Sequence, residues 1–347
     1  MNARIYLDHA ASTPVLAAAR DAMAEAMTRW ANPSSPHAEG RAARNALETA
    51  RAQIKQALGW QHELIFTSGA SEAAALALGR AGHPNRAISA VEHDAIRRAV
   101  AKPALLAVDA MGIVDLDDLP ERAVIAIQTV NSETGVIQPA DTVAAAIGGS
   151  AGLWLADAAQ SAGKLALPDA DMIVVSAHKL GGPPGIGALL VKDLNMLAAT
   201  GGQEKGYRGG TENLPAAIGF AAALGARGAR DHLPDLRRQL DEGIKRAGGV
   251  VVAEESHRLP EIASYRLPGV AAAAQLISLD MAGIAVSAGS ACSSGTLKAS
   301  PVLLAMGWGE DAAREVIRVS LAPETRQADI ERFLDVWTDL ARRQRAA

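Results

Sequence analysis

The 347-residue sequence has one cysteine, Cys292. A lone thiol excludes an internal disulfide and a multi-cysteine zinc or iron–sulfur site. Aromatic residues are scarce, at 3%. The apolar content is mostly alanine with Val, Ile and Leu, a composition that suits tightly packed helices. No apolar run reaches the roughly 18 residues a membrane span needs. The longest uncharged stretches, Thr142–Ala156 and Met281–Leu297, are interrupted by Gly and Ser. The start, MNARIYLDHA, has no apolar core and carries Asp8 early, unlike a secretory signal. Neither charge sign dominates: 34 Lys and Arg stand against 38 Asp and Glu, a net −4. That balance argues against a protein built to coat nucleic acid or an anionic membrane. The eight histidines are scattered without a His-x-x-x-His pair, so a metal centre is not expected. A soluble, cytoplasmic protein is expected.

The middle of the chain alternates short β-branched runs with alanine-rich stretches. Strands are expected at Glu63–Phe66, Ala87–Val91, Val124–Val130, Leu153–Ala156, Met172–Val175 and Gly187–Val191. Helices are expected at Ser71–Gly79, Asp94–Ala101 and Ala140–Ala146. Such alternation points to an α/β fold with a largely parallel sheet. The composition shifts near Arg230. Beyond it come a charged helix, Asp231–Arg246, a strand, Ile262–Leu267, a helix, Ala271–Met281, a Gly/Ser-rich loop around Cys292, and a last amphipathic helix, Asp329–Arg343. The expected organisation is a large domain, 15–230, and a smaller α+β domain, 231–347, joined by residues 1–14.

Parallel sheets bind ligands beyond the carboxyl ends of their strands. Five expected strands end in reactive or polar groups: Thr67–Glu72, Glu92-His93, Asn131–Gly135, Asp157 with Gln160, and Ser176–Lys179. Thr67–Ser71 reads either as an anion site at a helix N-terminus or as an ordinary cap made by Ser71. Asp157 can pair with a protonated pyridine nitrogen or simply cap a loop. Lys179 can be a Schiff-base amine or a solvated surface lysine. His93 can stack on a ring and move protons or serve structure alone, and His178 is open in the same way. Cys292 sits between small residues in Ser290-Ala291-Cys292-Ser293-Ser294-Gly295. That setting favours a nucleophile over a buried spare thiol.

Together these strings resemble the pyridoxal-phosphate-dependent cysteine desulfurases of the NifS/IscS-like branch. The resemblance runs from Ile5–Pro14 to Ile317–Ser320 and includes Asn32–His37, Phe66–Glu72, Glu92-His93, Asn131–Gly135, Asp157–Gln160, Ser176–Lys179, Arg208–Asn213 and Ser290–Cys292. It implies fold type I, with a mainly parallel seven-stranded sheet, and a homodimer. Lys179 would be the Schiff-base lysine, Asp157 would hold the pyridine nitrogen, and Gln160 would bond the ring's phenolic oxygen. His93 would stack on the ring, and Ala70, Ser71, Ser176 and His178 would hold the phosphate. Thr211 would reach the cofactor of the neighbouring subunit. Arg318 would clamp the substrate carboxylate, with Asn32 and Asn131 at the substrate end. Cys292 would take sulfur from L-cysteine as a persulfide, leaving L-alanine, and pass it to an acceptor protein for iron–sulfur or other sulfur-cofactor synthesis.

The chain departs from the family pattern at Ser71 (usually Thr), at Ala74 and Ala75 (usually Asn) and at Ser132 (often a second Asn). The rival readings are a selenocysteine lyase or another fold type I enzyme acting on a small amino acid, and a catalytically silent protein of the same fold.

Overall fold

The computed structural model describes residues 4–28, 31–289 and 298–346. In chain order the first part comprises β1 (Ile5–Tyr6), α1 (Ala17–Met27), α2 (Ala38–Leu58), β2 (Glu63–Thr67), α3 (Ala70–Arg80), β3 (Asn85–Ser89), α4 (Asp94–Arg98), β4 (Ala104–Leu106), β5 (Ala123–Ala126), α5 (Ala140–Gly149), β6 (Leu153–Asp157), β7 (Met172–Ser176), β8 (Gly187–Val191) and α6 (Leu214–Gly225). The rest comprises α7 (Leu233–Arg246), β9 (Val250–Val251), β10 (Ile262–Arg266), α8 (Ala272–Met281), β11 (Ile284–Ala285), α9 (Pro301–Ala305), α10 (Glu310–Ala313), β12 (Val316–Ser320) and α11 (Gln327–Ala346).

Seven strands form one sheet in the order β2-β8-β7-β6-β5-β3-β4. The pairs β4–β3, β3–β5, β5–β6 and β6–β7 are parallel, and β8 is antiparallel to both its neighbours. All strands except β8 therefore point their carboxyl ends to one edge. Period-two alternation sorts their side chains between two cores. Ile173 and Val175 join α2, α5 and α6 on one face, while Met172 and Val174 meet α3 on the other. Burial on both faces is why these strands read as continuous apolar runs. Helix α2 presents Ala43, Leu47, Ala50, Ile54 and Leu58 to the sheet at helical spacing. The expected α/β class and mainly parallel sheet are those observed.

Two elements are shorter than expected. The β5 ladder stops at Ala126, and beyond it the chain turns so that Val130 bridges Ile137. Helix α4 stops at Arg98, well before Lys102 (φ +55°) and Pro103, two residues that do not continue a helix.

A separate core lies under the antiparallel sheet β12-β10-β9, where Leu236, Leu240 and Ile244 of α7 meet Phe333 and Trp337 of α11. The N-terminus joins this core. β1 pairs with β11, Leu7 is fully buried, and Asp8 bridges Ser320. Among the described residues no helix is long and apolar enough to cross a membrane.

Candidate active site

A cleft of about 1100 Å³ opens beyond the carboxyl ends of the large sheet. Ala70, Ser71, His93 and Asp157 line it, together with Ser176, His178, Lys179 and Arg318. Eight of the expected site residues thus converge from five separate stretches of chain.

One end of the cleft is the start of α3. Gly69 precedes the helix with φ +153° and ψ −176°, a backbone region that only glycine enters readily. The helix begins at Ala70, so Ser71 lies inside its first turn and is not its cap; the hydroxyl makes no hydrogen bond among the described residues. Glu72 instead reaches back to accept from the Ser68 N–H (2.5 Å) and pairs with Arg208 (2.7 Å). The first N–H groups of a helix have no intrahelical acceptor, so this end is suited to an anion. Ser176 ends β7 beside it, buried, its hydroxyl likewise without a partner among the described residues.

The floor carries the titratable groups. Asp157 closes β6; one carboxylate oxygen accepts from the Ala159 N–H (2.9 Å), and the other bonds to no described residue. Lys179 follows β7 in a short helical turn. Burial holds its amine below the ordinary lysine range; Arg318 adds to this and Asp157 opposes it. An amine so held loses its proton more easily and becomes a nucleophile. His93 caps α4, its Nδ1 accepting from the Ala95 N–H (3.1 Å), so the neutral ring carries its proton on Nε2. Burial first, then Lys179, pushes the His93 pKa down, and the same two causes lower that of His178.

The opposite wall is Arg318 on β12. Its Nη2 donates to Asp8 (2.8 Å) and its Nη1 to the carbonyl of Ser132 (3.0 Å), but the buried Nε has no partner among the described residues. A guanidinium with an open donor beside a cleft can take a further carboxylate.

The other expected residues lie elsewhere. Gln160 is buried behind the cleft, its amide donating to the carbonyl of Ala10 (2.9 Å). The Asn131 side chain is turned inward, accepting from Glu133, Thr134 and the Thr134 hydroxyl, so it braces its own turn. Asn32 is exposed and accepts from the Ser34 N–H (2.8 Å). Thr211 lines a separate hollow with Arg208 and Glu212. Cys292 lies outside the described residues. Sequence reasoning gave no role to Asp8 or to Glu92. Glu92 is buried against Ser89 and the Gln128 N–H (2.8 Å each). Burial, and then Asp157, raises its pKa to about 8. Both residues stood in the strings that carry the resemblance, but their partners are distant in sequence.

Residues 5–333 match the aminotransferase class-V family. The chain belongs to that family. The class-V chain is 38% identical to a cysteine desulfurase of Gluconacetobacter diazotrophicus, over 97% of this chain and 92% of that protein. It is 35% identical to "Cysteine desulfurase IscS 1" of Archaeoglobus fulgidus, over 98% of each. Among solved structures it superposes on a NifS-like protein from Rickettsia africae with a TM-score of 0.87 at 29% identity, covering 97% of this chain and 99% of that one. It also superposes on SspA in complex with cysteine (TM-score 0.80, 28% identity, 93% and 100% covered). The class-V fold accounts for the open strand-end cleft.

Proposed function

We propose that the protein is a cysteine desulfurase that uses pyridoxal 5'-phosphate to convert L-cysteine to L-alanine, leaving the sulfur on Cys292. The observation that carries this reading is the convergence, in one cleft, of Lys179 with its lowered pKa, Asp157, His93 and the free start of α3. The unpaired hydroxyls of Ser71 and Ser176 fit a phosphate, and the carboxylate of Asp157 fits a protonated ring nitrogen. When bound, the cofactor supplies an aldehyde that captures an amine and a ring that delocalises the electron pair left at Cα.

The chain's own groups do the rest. Ala70, Ser71, Ser176 and His178 hold the phosphate, Asp157 keeps the ring nitrogen protonated, and Gln160 serves the phenolic oxygen. His93 covers the ring face. Arg318 orients the substrate carboxylate, with Asn32 and Asn131 assigned to the same end. The Lys179 amine accepts the Cα proton. The Cys292 thiolate attacks the substrate Sγ: an S–S bond forms, the Cβ–Sγ bond breaks, and the electron pair leaves with carbon, which is then protonated to the methyl of alanine.

The persulfide on Cys292 leaves by thiol exchange with an acceptor protein, serving iron–sulfur cluster or other sulfur-cofactor synthesis. Such a persulfide, like an unpaired thiol, suits a reducing, cytoplasmic setting. A homodimer is part of the proposal, with Thr211 serving the cofactor of the second copy. Its support is that Thr211 lies away from the cleft of its own chain, beside buried Glu212, whose carboxylate pairs with Arg44 (3.8 Å) but accepts no hydrogen bond among the described residues. Two domains, 15–230 and 231–347 with residues 1–14, fit the separation of the large sheet's cores from the core under β12-β10-β9.

The test is release of alanine from L-cysteine by the purified protein supplied with pyridoxal phosphate. Wild type should release it, and Lys179→Ala and Cys292→Ala should not. A silent wild type, or a Cys292→Ala variant with full turnover, would refute the proposal.

A further inference from the structure

We infer that Glu133 is a positioning residue for sulfur transfer, tying both flanks of segment 290–297, which carries Cys292, to the turn beneath Arg318. The inference rests on the desulfurase reading. Glu133 directly follows Ser132, whose carbonyl receives Nη1 of Arg318 (3.0 Å). Its own backbone is fixed on both sides. The N–H donates to Asn131 Oδ1 (2.9 Å), and the carbonyl accepts from Ser264 Oγ on β10 (2.8 Å).

The side chain then reaches across to the residues that bound the Cys292 segment. On the downstream flank, Oε2 accepts from Ser300 Oγ (2.5 Å). The same Ser300 oxygen caps α9, accepting from the N–H groups of Val302 and Leu303 (3.2 Å each). On the upstream flank, Gly289 packs so closely on Oε2 that a Cβ there would collide with it. Two residues earlier, Ser287 exchanges two backbone hydrogen bonds with Arg318 (2.6 and 3.1 Å).

One buried carboxylate therefore touches the chain just before residue 290 and just after residue 297, and its own turn holds the substrate-orienting arginine. A thiol that must meet a bound Sγ gains most from such a shared reference, because reacting atoms need to approach to about 3–3.5 Å. A carboxylate is a costly choice for packing alone. Burial pushes the Glu133 pKa up, and Ser300 and Arg318 pull against that rise.

The experiment compares Glu133→Ala, Glu133→Gln and wild type, each loaded with cofactor, in a single turnover with L-cysteine. The readout is sulfur on Cys292 by mass. In parallel, alkylation of Cys292 by iodoacetamide is timed without substrate. Glu133→Ala should slow sulfur loading by roughly 10–100-fold, as misplacement of a reacting group does. KM for cysteine should stay within about twofold, since uniform binding is untouched. The alkylation rate should change as well. Glu133→Gln keeps an acceptor for Ser300 and should restore most of the rate. If Glu133→Ala does not fold, Ser300→Gly takes its place, because glycine remains an acceptable cap but offers no hydroxyl to Glu133. The inference is overturned if the tie-breaking variant loads and alkylates at wild-type rates, if Glu133→Gln is as slow as Glu133→Ala, or if loading falls only in step with bound cofactor. A wild type that loads no sulfur would instead sink the desulfurase reading, and the alkylation rates would still decide the tie.

Discussion

Arg51, on the flank where α2 meets β2, and Arg318, at the cleft, are almost equally buried, at 6% and 7% exposure. Their surroundings differ. Arg51 donates from all three nitrogens: Nη1 and Nη2 grip both oxygens of Glu204 (2.8 and 3.0 Å), Nη1 also reaches the carbonyl of Leu64, and Nε meets Glu48. Glu204 in turn accepts from the Phe66 N–H (2.7 Å). Arg318 has Asp8 and a carbonyl, and its Nε is left over. The same contrast runs through the whole cleft, where Ser71, Ser176, Lys179 and one oxygen of Asp157 lack partners among the described residues. Of these groups Ser176 and the Arg318 Nε are buried, where an unpaired polar atom costs free energy, while Lys179 and Asp157 are half-buried and Ser71 is exposed. Donors and acceptors left open together at one edge mark a place suited to a polar ligand.

The sharpest way to break the comparison is to truncate both arginines. Arg51→Ala should destabilise the fold by about 3–5 kcal/mol, because it strands the buried Glu204 carboxylate, while KM for cysteine in the folded fraction stays put. Arg318→Ala should cost about 2–5 kcal/mol in substrate binding, read as a raised KM, with a smaller change in denaturation midpoint. The contrast fails if the two variants show the same pattern.

A milder probe is Ser71→Ala. Stability without cofactor should stay within about 0.5 kcal/mol of wild type, since the hydroxyl has no partner to lose. Affinity for pyridoxal phosphate, measured by absorbance titration, should weaken by about 1 kcal/mol. A destabilised apo-protein with unchanged affinity would return Ser71 to a capping role.

A probe of a different kind, read through pH, concerns Glu92, whose pKa rises from an ordinary 4.5 to about 8 in the folded chain. The unfolded chain loses that proton first, so the stability tied to Glu92 is whole below about pH 4.5 and drains away as pH rises through 8. Glu92→Gln keeps an acceptor for Ser89 and Gln128 and removes the titration. Its denaturation midpoint relative to wild type should therefore improve from pH 5 to pH 8.5. A constant difference would contradict the assigned burial.

The sheet could be read from the sequence because its strands are buried on both faces and appear as unbroken apolar runs. The polar groups that end them could be read for the same reason: they stand where each run stops. Helices α1 and α6 escaped because alanine-rich helices show little contrast between faces; α6 is apolar almost throughout. Helix α2 did carry a periodic signal, in Leu47, Ile54 and Leu58, that its many charges obscured. The cap reading of Ser71 failed by two residues, since the helix begins at Ala70 and its N-cap is Gly69. Pairings across distance had no local signal. Asp8 meets Arg318 across 310 positions, and Glu133 meets Ser300 across 167.

The central claim is that the unpaired cleft holds a carbonyl-bearing cofactor on Lys179. A rival amine exists in the same fold, for Lys164 is also shielded from water and its pKa is lowered by that burial to about 8. Adding pyridoxal phosphate, reducing with borohydride and mapping the modified peptide separates the two. The account predicts the cofactor's mass on the Lys179 peptide and its loss in Lys179→Ala. Label on Lys164, or on no lysine at all, would contradict it.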